Sequence, residues 1–143
     1  MSHIPLPQGH YCPATRHGDV IYTAGMTPRR DGVLIQHGPV TDDVPLTHYQ
    51  EAVILTCRNA LNAALSQLAP NEIITAVLSM TVFIACGSNF TTHSRLADYA
   101  SDYLAGKYGA SGIGARTAVG VISLPGNAPV EIQLVLAAGS AAA

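Results

Sequence analysis

"GARTAVGVISLPGNAPVEIQLVL" (residues 114–136) holds one arginine, Arg116, and one acid, Glu131, in an otherwise uncharged stretch rich in Val, Ile and Leu. The run breaks once, at Leu124-Pro125-Gly126-Asn127, a turn-forming sequence between two β-rich segments. The simplest expectation is a hairpin. A turn at Gly126-Asn127 would set Glu131 opposite roughly Ile122 and leave Arg116 six residues farther along its strand. At ~3.3 Å per residue that is about 20 Å. Two groups so placed cannot share a small ligand within one regular hairpin. They need a bulge that bends the strands, or a second subunit.

Each residue also has an ordinary reading. A strand arginine is most often an edge residue or half of an exposed ion pair. Here its neighbours Ala115, Thr117 and Ala118 are small, so the guanidinium has room to form the floor of a shallow pocket. Its planar fork suits a carboxylate through two parallel hydrogen bonds. Glu131 lies among Val130, Ile132 and Leu134, with Gln133 beside it. It either faces water or is partly buried, and partial burial raises a carboxyl pKa toward the range of a general acid/base.

Composition widens the argument to the whole molecule. The 143 residues suit one domain, 1–143, with only 11% charged residues, 48% hydrophobic residues and a mean hydropathy of +0.27. An average soluble domain carries about 25% charge. A monomer this apolar would struggle to cover its exterior, so an obligate oligomer is expected. A net charge of −2 with seven scattered Lys and Arg offers no track for a phosphate backbone, which argues against nucleic acid as partner. The opening "MSHIPLPQGH" has two prolines and lacks the basic-then-apolar form of a signal peptide. Cys12, Cys57 and Cys86 are odd in number and form no C-x-x-C, so reduced thiols and a cytoplasmic location are expected. The apolar run from Ile73 to Cys86 is interrupted by Thr75, Ser79 and Thr81 and is shorter than the ~20 residues of a membrane helix. His3, His10 and His17 recur every seven residues, but prolines and glycines break that segment, so no metal site is expected. Gly109, Gly112 and Gly114 lack the preceding strand of a phosphate loop and read as a flexible cleft rim. Residues 137–143 read as a frayed tail.

The coarse organisation is β, β, α, β, α, β, β. A strand from Asp19 to Pro28 is expected to return as a hairpin through Asp31 to Gly38. Apolar residues at three- and four-residue intervals predict a helix over Leu46 to Leu68, stopped by Pro70-Asn71. The β-branched run from Ile74 to Cys86 predicts a central strand, and Thr91 to Tyr108 a second helix ending near Gly109. The pattern gives an α+β class with both helices on one face of a mixed β-sheet.

"ARTAVGVISLPGNAPVEIQLVLA" resembles the C-terminal signature of the Rid (reactive intermediate deaminase) or YjgF family. "GHYCPATRHGDVIYTAGMTP", "RNALNAAL" and "LSMTVFIA" match it in order over nearly the whole chain. The resemblance implies a chorismate-mutase-like fold, a homotrimer with ligand clefts between subunits, and no cofactor. It implies hydrolysis of enamines and imines of the 2-aminoacrylate or 2-imino acid type to 2-keto acids and ammonia. It also implies that Arg116 binds the substrate carboxylate and Glu131 positions or activates water. Tyr11, Thr23, Gly25 and Ala118 are the implied substrate-lining positions. Departures from the family pattern are Ala118 for a cysteine, Ala24 for a serine and Met26 for a glutamine. Ser94 is the nearest match to a helix-start asparagine. A carboxylate anchor in a more apolar surround points either to a larger substrate side chain or to a trimer that binds small carboxylates without turnover. His93, beside Ser94, is a further polar group that could serve the same cleft.

Overall fold

The computed structural model describes residues 4–141. Strand β1 (Ala14–His17) and strand β2 (Val20–Thr23) are followed by two short strands, β3 (Arg29–Arg30) and β4 (Val33–Leu34). A 3-10 turn (Leu46–Tyr49) leads into helix α1 (Gln50–Leu65), strand β5 (Glu72–Ala85), helix α2 (His93–Tyr108), strand β6 (Ala115–Val121) and strand β7 (Val130–Ser140). The main sheet has the order β1-β2-β7-β5-β6, with β5 and β6 parallel and every other pair antiparallel.

The expected C-terminal hairpin is absent. β6 and β7 are the two halves of the stretch that suggested it, yet β5 lies between them and pairs with both. A long, apolar, β-branched strand satisfies its backbone and side chains best with a neighbour on each edge. α2 supplies the crossover that returns β6 parallel to β5, because parallel neighbours cannot be joined by a tight turn. The Leu-Pro-Gly-Asn segment is therefore a connection that carries the chain past β5. Gly126 and Asn127 both take positive φ there. Gly38 N–H donates to the Asn127 carbonyl at 2.8 Å, and Asn127 Nδ2 donates to the Gly38 carbonyl at 3.2 Å.

The N-terminal expectation is corrected in the same way. β2 pairs with β1 on one side and β7 on the other, while the return through residues 31–38 is only the two-residue β3–β4 ladder. Asp31 and Gly32, both at positive φ, form its turn, as Asp-Gly does in tight hairpins. The first helix starts at Gln50, after the 3-10 turn that follows Pro45. Residues 137–140 are strand, and Ala141 N–H donates to the Asn71 carbonyl, so the tail is held where fraying was expected. The glycines at 112 and 114 press against backbone carbonyls of Leu104, Val77 and Leu78, making a tight corner in place of the expected flexible rim.

Both helices cover one face of the sheet. Met80, Val82 and Ile84 of β5 and Val130, Ile132, Leu134 and Leu136 of β7 are buried there against Val53, Cys57 and Leu61 of α1 and Leu96 and Leu104 of α2. Ala60, Ala63, Ala64, Ala97 and Ala100 are also buried, and their small side chains let the helices approach the sheet closely. The opposite face has no helix and carries Tyr22, 48% exposed, and Val119, 37% exposed, with Phe83 and Val135 half-buried between them. Among the described residues no helix is long and apolar enough to cross a membrane, and no group of three metal-ligating side chains forms; His3 lies outside the described residues.

Arg16 of β1 closes the end of the sheet. Its two terminal nitrogens donate to the two Glu72 oxygens at 2.5 and 2.8 Å, and Nη1 also donates to the Gln67 carbonyl. The Arg16 hydrogen bonds, then that from the Ala69 N–H, hold the Glu72 carboxyl down to about 2. A folded-state pKa below the unfolded value stabilises the fold above the unfolded pKa and loses that effect as pH falls through the folded one. Glu72→Gln is expected to lower the melting temperature at neutral pH. Thermal unfolding over a pH series should show the gap from wild type shrinking from about pH 5 downward and closing near pH 2.

Candidate functional site

Glu131 is the second residue of β7, in register with Phe83 of β5, so it projects from the helix-free face of the sheet. Its carboxylate lies over the backbone of Gly25, where any Cβ would collide with Oε2 and Cδ. A side chain at 25 would therefore push the Glu131 carboxylate aside, for a steric reason that does not depend on φ. The chain that passes under the carboxylate is anchored on both sides. Ala24 N–H donates to the Pro13 carbonyl, and Met26 and Ile132 exchange backbone hydrogen bonds. Glu131 is half-buried, and burial pushes its carboxyl pKa up, with no basic side chain within ion-pair distance among the described residues.

Tyr11 lies two residues before Pro13, on the same N-terminal approach to Gly25. It is 44% exposed, and its hydroxyl accepts from the Gln8 N–H at 3.0 Å. Thr23 has a different part from the expected lining role. It is buried, its hydroxyl donates to the Ala24 carbonyl and accepts from the Leu134 N–H, and so it holds β2 to β7 with no free polar group for a ligand.

Arg116 pairs in register with Met80, a helix-face residue, and so turns toward α2. Nη1 donates to Asp98 Oδ1 at 2.8 Å and Ser101 Oγ at 3.0 Å; Nη2 donates to the Ser94 carbonyl at 3.1 Å and Ser94 Oγ at 2.7 Å. These contacts engage the four terminal N–H groups of the guanidinium and leave Nε–H. Asp98 is well exposed. Ala118 is the next residue of β6 on this face, and Gly120 follows it, giving a floor of small side chains beside the arginine. Ser94, Asp98 and Ser101 stand at i, i+4 and i+7 on α2, a polar stripe on one face of a helix. That spacing was visible in the sequence, but nothing there showed that Arg116 would lie beneath it.

Arg116 and Glu131 do not meet within one chain. Met80 and Phe83 are three residues apart on β5, and β6 and β7 are two strand spacings apart. Those offsets place the Cα atoms of Arg116 and Glu131 about 14 Å from one another. The hairpin estimate was longer, but the decisive fact is parity. Arg116 faces the helices, while Glu131 faces away from them. A cleft of about 630 Å³ lined by Leu6, Gln8, Arg30, Arg58 and Asn62 lies apart from both.

A mixed five-stranded sheet with two helices on one face is the chorismate-mutase-like α+β class. The chain belongs to the family described as Endoribonuclease L-PSP, the YjgF/Rid family, whose model matches residues 1–138. It is similar to the crystal structure of Atu1372 from Agrobacterium tumefaciens, a protein of unknown function, at 32% identity and a TM-score of 0.81, covering 94% of this chain and 84% of that one. Escherichia coli TdcF with bound serine shares the fold at 19% identity and a TM-score of 0.68, covering 94% and 92%. Protein TCP17 of Trypanosoma cruzi is 27% identical over 128 residues, 89% of this chain and 80% of that protein.

Gly25→Ala is expected to drive the Glu131 carboxylate off its seat toward water and so bring its raised pKa down, with a stability change under about 1 kcal/mol because the displaced atoms end a flexible side chain. Titration of the Glu131 carboxyl by NMR, with denaturant unfolding alongside, checks this. An unchanged Glu131 pKa would show that a side chain at 25 does not displace it.

Proposed function

We propose that this chain is a deaminase of small reactive enamines and imines of the 2-aminoacrylate or 2-imino acid type, releasing 2-keto acids and ammonia in clefts between the subunits of a homotrimer. The observation that carries this reading is the pairing of opposite roles on opposite faces. An arginine suited to a carboxylate lies under α2, and a half-buried carboxyl with a raised pKa lies on the face that has no helix. The exposed apolar side chains of that face supply a surface for neighbouring subunits. With a neighbour's open face set against the β6 edge, one subunit's Glu131, Gly25 and Tyr11 complete the site of another's Arg116 and Ala118.

In that cleft the substrate carboxylate takes the place of Asp98 on the guanidinium, and the exposed Asp98 side chain turns out to water. An enamine first takes a proton from water on its β-carbon and gives up one N–H proton, becoming the imine. The imine carbon is already electrophilic, so the remaining work is to orient one water and move protons. Glu131 accepts a proton as water adds to the carbon and returns it to the nitrogen. It then takes the hydroxyl proton as the tetrahedral intermediate collapses and passes it to the departing nitrogen, leaving the 2-keto acid and ammonia. A carboxyl whose pKa is raised suits both halves of that exchange. The E. coli relative holds serine, a small compound with an α-amino group and a carboxylate, and this substrate class has the same outline. Ala118, on the floor beside Arg116, makes the cleft less polar there and favours a substrate with a larger apolar side chain.

The test is release of 2-keto acid from imino acids generated in situ by an amino acid oxidase, compared with the spontaneous rate. Arg116→Ala and Glu131→Gln are each expected to lower the enzymatic rate at least ~100-fold. No acceleration by the wild type would overturn the proposal.

Asp98 on the guanidinium favours a second reading, a trimer that binds small carboxylates without turnover. Asp98→Asn is expected to tighten carboxylate binding several-fold in calorimetry under either reading, because it removes the competing anion. Binding that Arg116→Ala abolishes, with no keto-acid release, would establish the second. The family's description names an endoribonuclease. In this chain a net charge of −2 and seven scattered Lys and Arg give a phosphate backbone little to bind.

A further inference from the structure

We propose that Cys86 and His93 form a reactive thiol–imidazole pair, a site of covalent addition for small electron-poor alkenes such as α,β-unsaturated carbonyl compounds. Cys86 follows the last residue of β5, and His93 is the first residue of α2. The thiol Sγ lies 3.5 Å from Nε2 of the imidazole. Both atoms are packed over Gly120 of β6, where an ideal Cβ would approach Nε2 to 2.8 Å and Sγ to 2.9 Å. Any side chain at 120 would therefore displace one or both members. Glycine is what leaves room for the pair.

Both partners are held from behind. The Cys86 N–H donates to the Val121 carbonyl at 3.0 Å, and Cys86 forms a parallel bridge with Val40. The imidazole stands edge-on to the buried Phe90 ring, with centroids 5.1 Å apart and planes at 71°. Two donors are fewer than the three or four protein ligands of a zinc site, which leaves proton transfer as the chemistry of the pair.

The other two cysteines mark the contrast. Cys57 is fully buried, its thiol facing the Ala100 carbonyl, and burial pushes it up to about 12. Cys12 is exposed. Burial also pushes the Cys86 thiol up, so attack requires a base. With the imidazole proton on Nδ1, Nε2 takes the thiol proton as Sγ bonds to the β-carbon of the alkene. The π electrons of the C=C bond become the carbanion stabilised by the carbonyl, and the imidazolium returns its proton to that carbon. The net change is addition of S–H across C=C, with no leaving group and no redox partner.

The experiment labels the native full-length chain with N-ethylmaleimide and follows each cysteine by peptide mass spectrometry, with Cys12 as internal reference. Cys86 is expected to react faster than the more exposed Cys12, and Cys57 only after denaturation. His93→Gln keeps a polar side chain of similar reach but accepts no proton. It is expected to lower the Cys86-to-Cys12 rate ratio at least ~10-fold while circular dichroism remains native. Gly120→Ala, which displaces the pair without removing either group, is expected to lower the ratio as well. A Cys86 that reacts no faster than Cys12, or a ratio unchanged by His93→Gln, would overturn the proposal. No imino acid is involved, so neither outcome depends on the deaminase reading.

Discussion

β5 pairs with β7 through eleven residues and with β6 through seven, and the site's geometry depends on that double pairing. Because β5 separates the two C-terminal strands, its register fixes where Arg116 and Glu131 stand, and the alternation of side chains fixes which way each points. Met80 is buried under the helices, so its β6 partner Arg116 turns to the helices too. Phe83 lies three residues on and faces the other way, as does its β7 partner Glu131. A slip of one residue in either pairing would exchange a polar site group for a core side chain. The buried Val82, Ile84, Ile132 and Leu134 oppose such a slip, and the core thereby protects the placement of the two charges.

The electrostatics of the two half-sites are complementary. Arg116 rests against an exposed aspartate, and an ion pair of that kind is worth about 0–1 kcal/mol, a small barrier to exchange with a ligand carboxylate. Glu131 has the opposite environment: half-buried, unpaired among the described residues and lying against the backbone of Gly25. One group is a cation with a replaceable partner, and the other is a carboxyl whose burial favours its protonated form. Brought together, they would hold a carboxylate and manage one proton. Apart, each has only half of that chemistry.

Local patterns made much of the fold legible. Three- and four-residue spacing marked both helices, β-branching distinguished the strand after α1 from a buried helix, and positive φ at Gly109 ends α2 where the glycines suggested. What the sequence could not show was pairing across distance. Leu-Pro-Gly-Asn has the composition of a hairpin turn, and only the demand of β5 for two neighbours makes it a crossover. The same gap hid the polar stripe of Ser94, Asp98 and Ser101, which becomes meaningful only once β6 lies beneath α2. Thr23 shows the reverse case, since a residue expected to line the cleft instead ties β2 to β7 through its hydroxyl. The β-rich pattern placed Arg116 and Glu131 on strands, while their opposite faces emerged only from the sheet register.

The claim that matters most is that neither face of one chain makes a complete site. Inactive Arg116→Ala and Glu131→Gln chains, mixed, unfolded and refolded together, provide the direct measurement. If each cleft draws its arginine from one subunit and its acid from another, mixed trimers contain some clefts with both residues intact. Imino acid hydrolysis should then return to a substantial fraction of the wild-type rate, although each parent alone stays inactive. Mixed trimers of confirmed composition that remain as inactive as their parents would contradict a site shared between subunits.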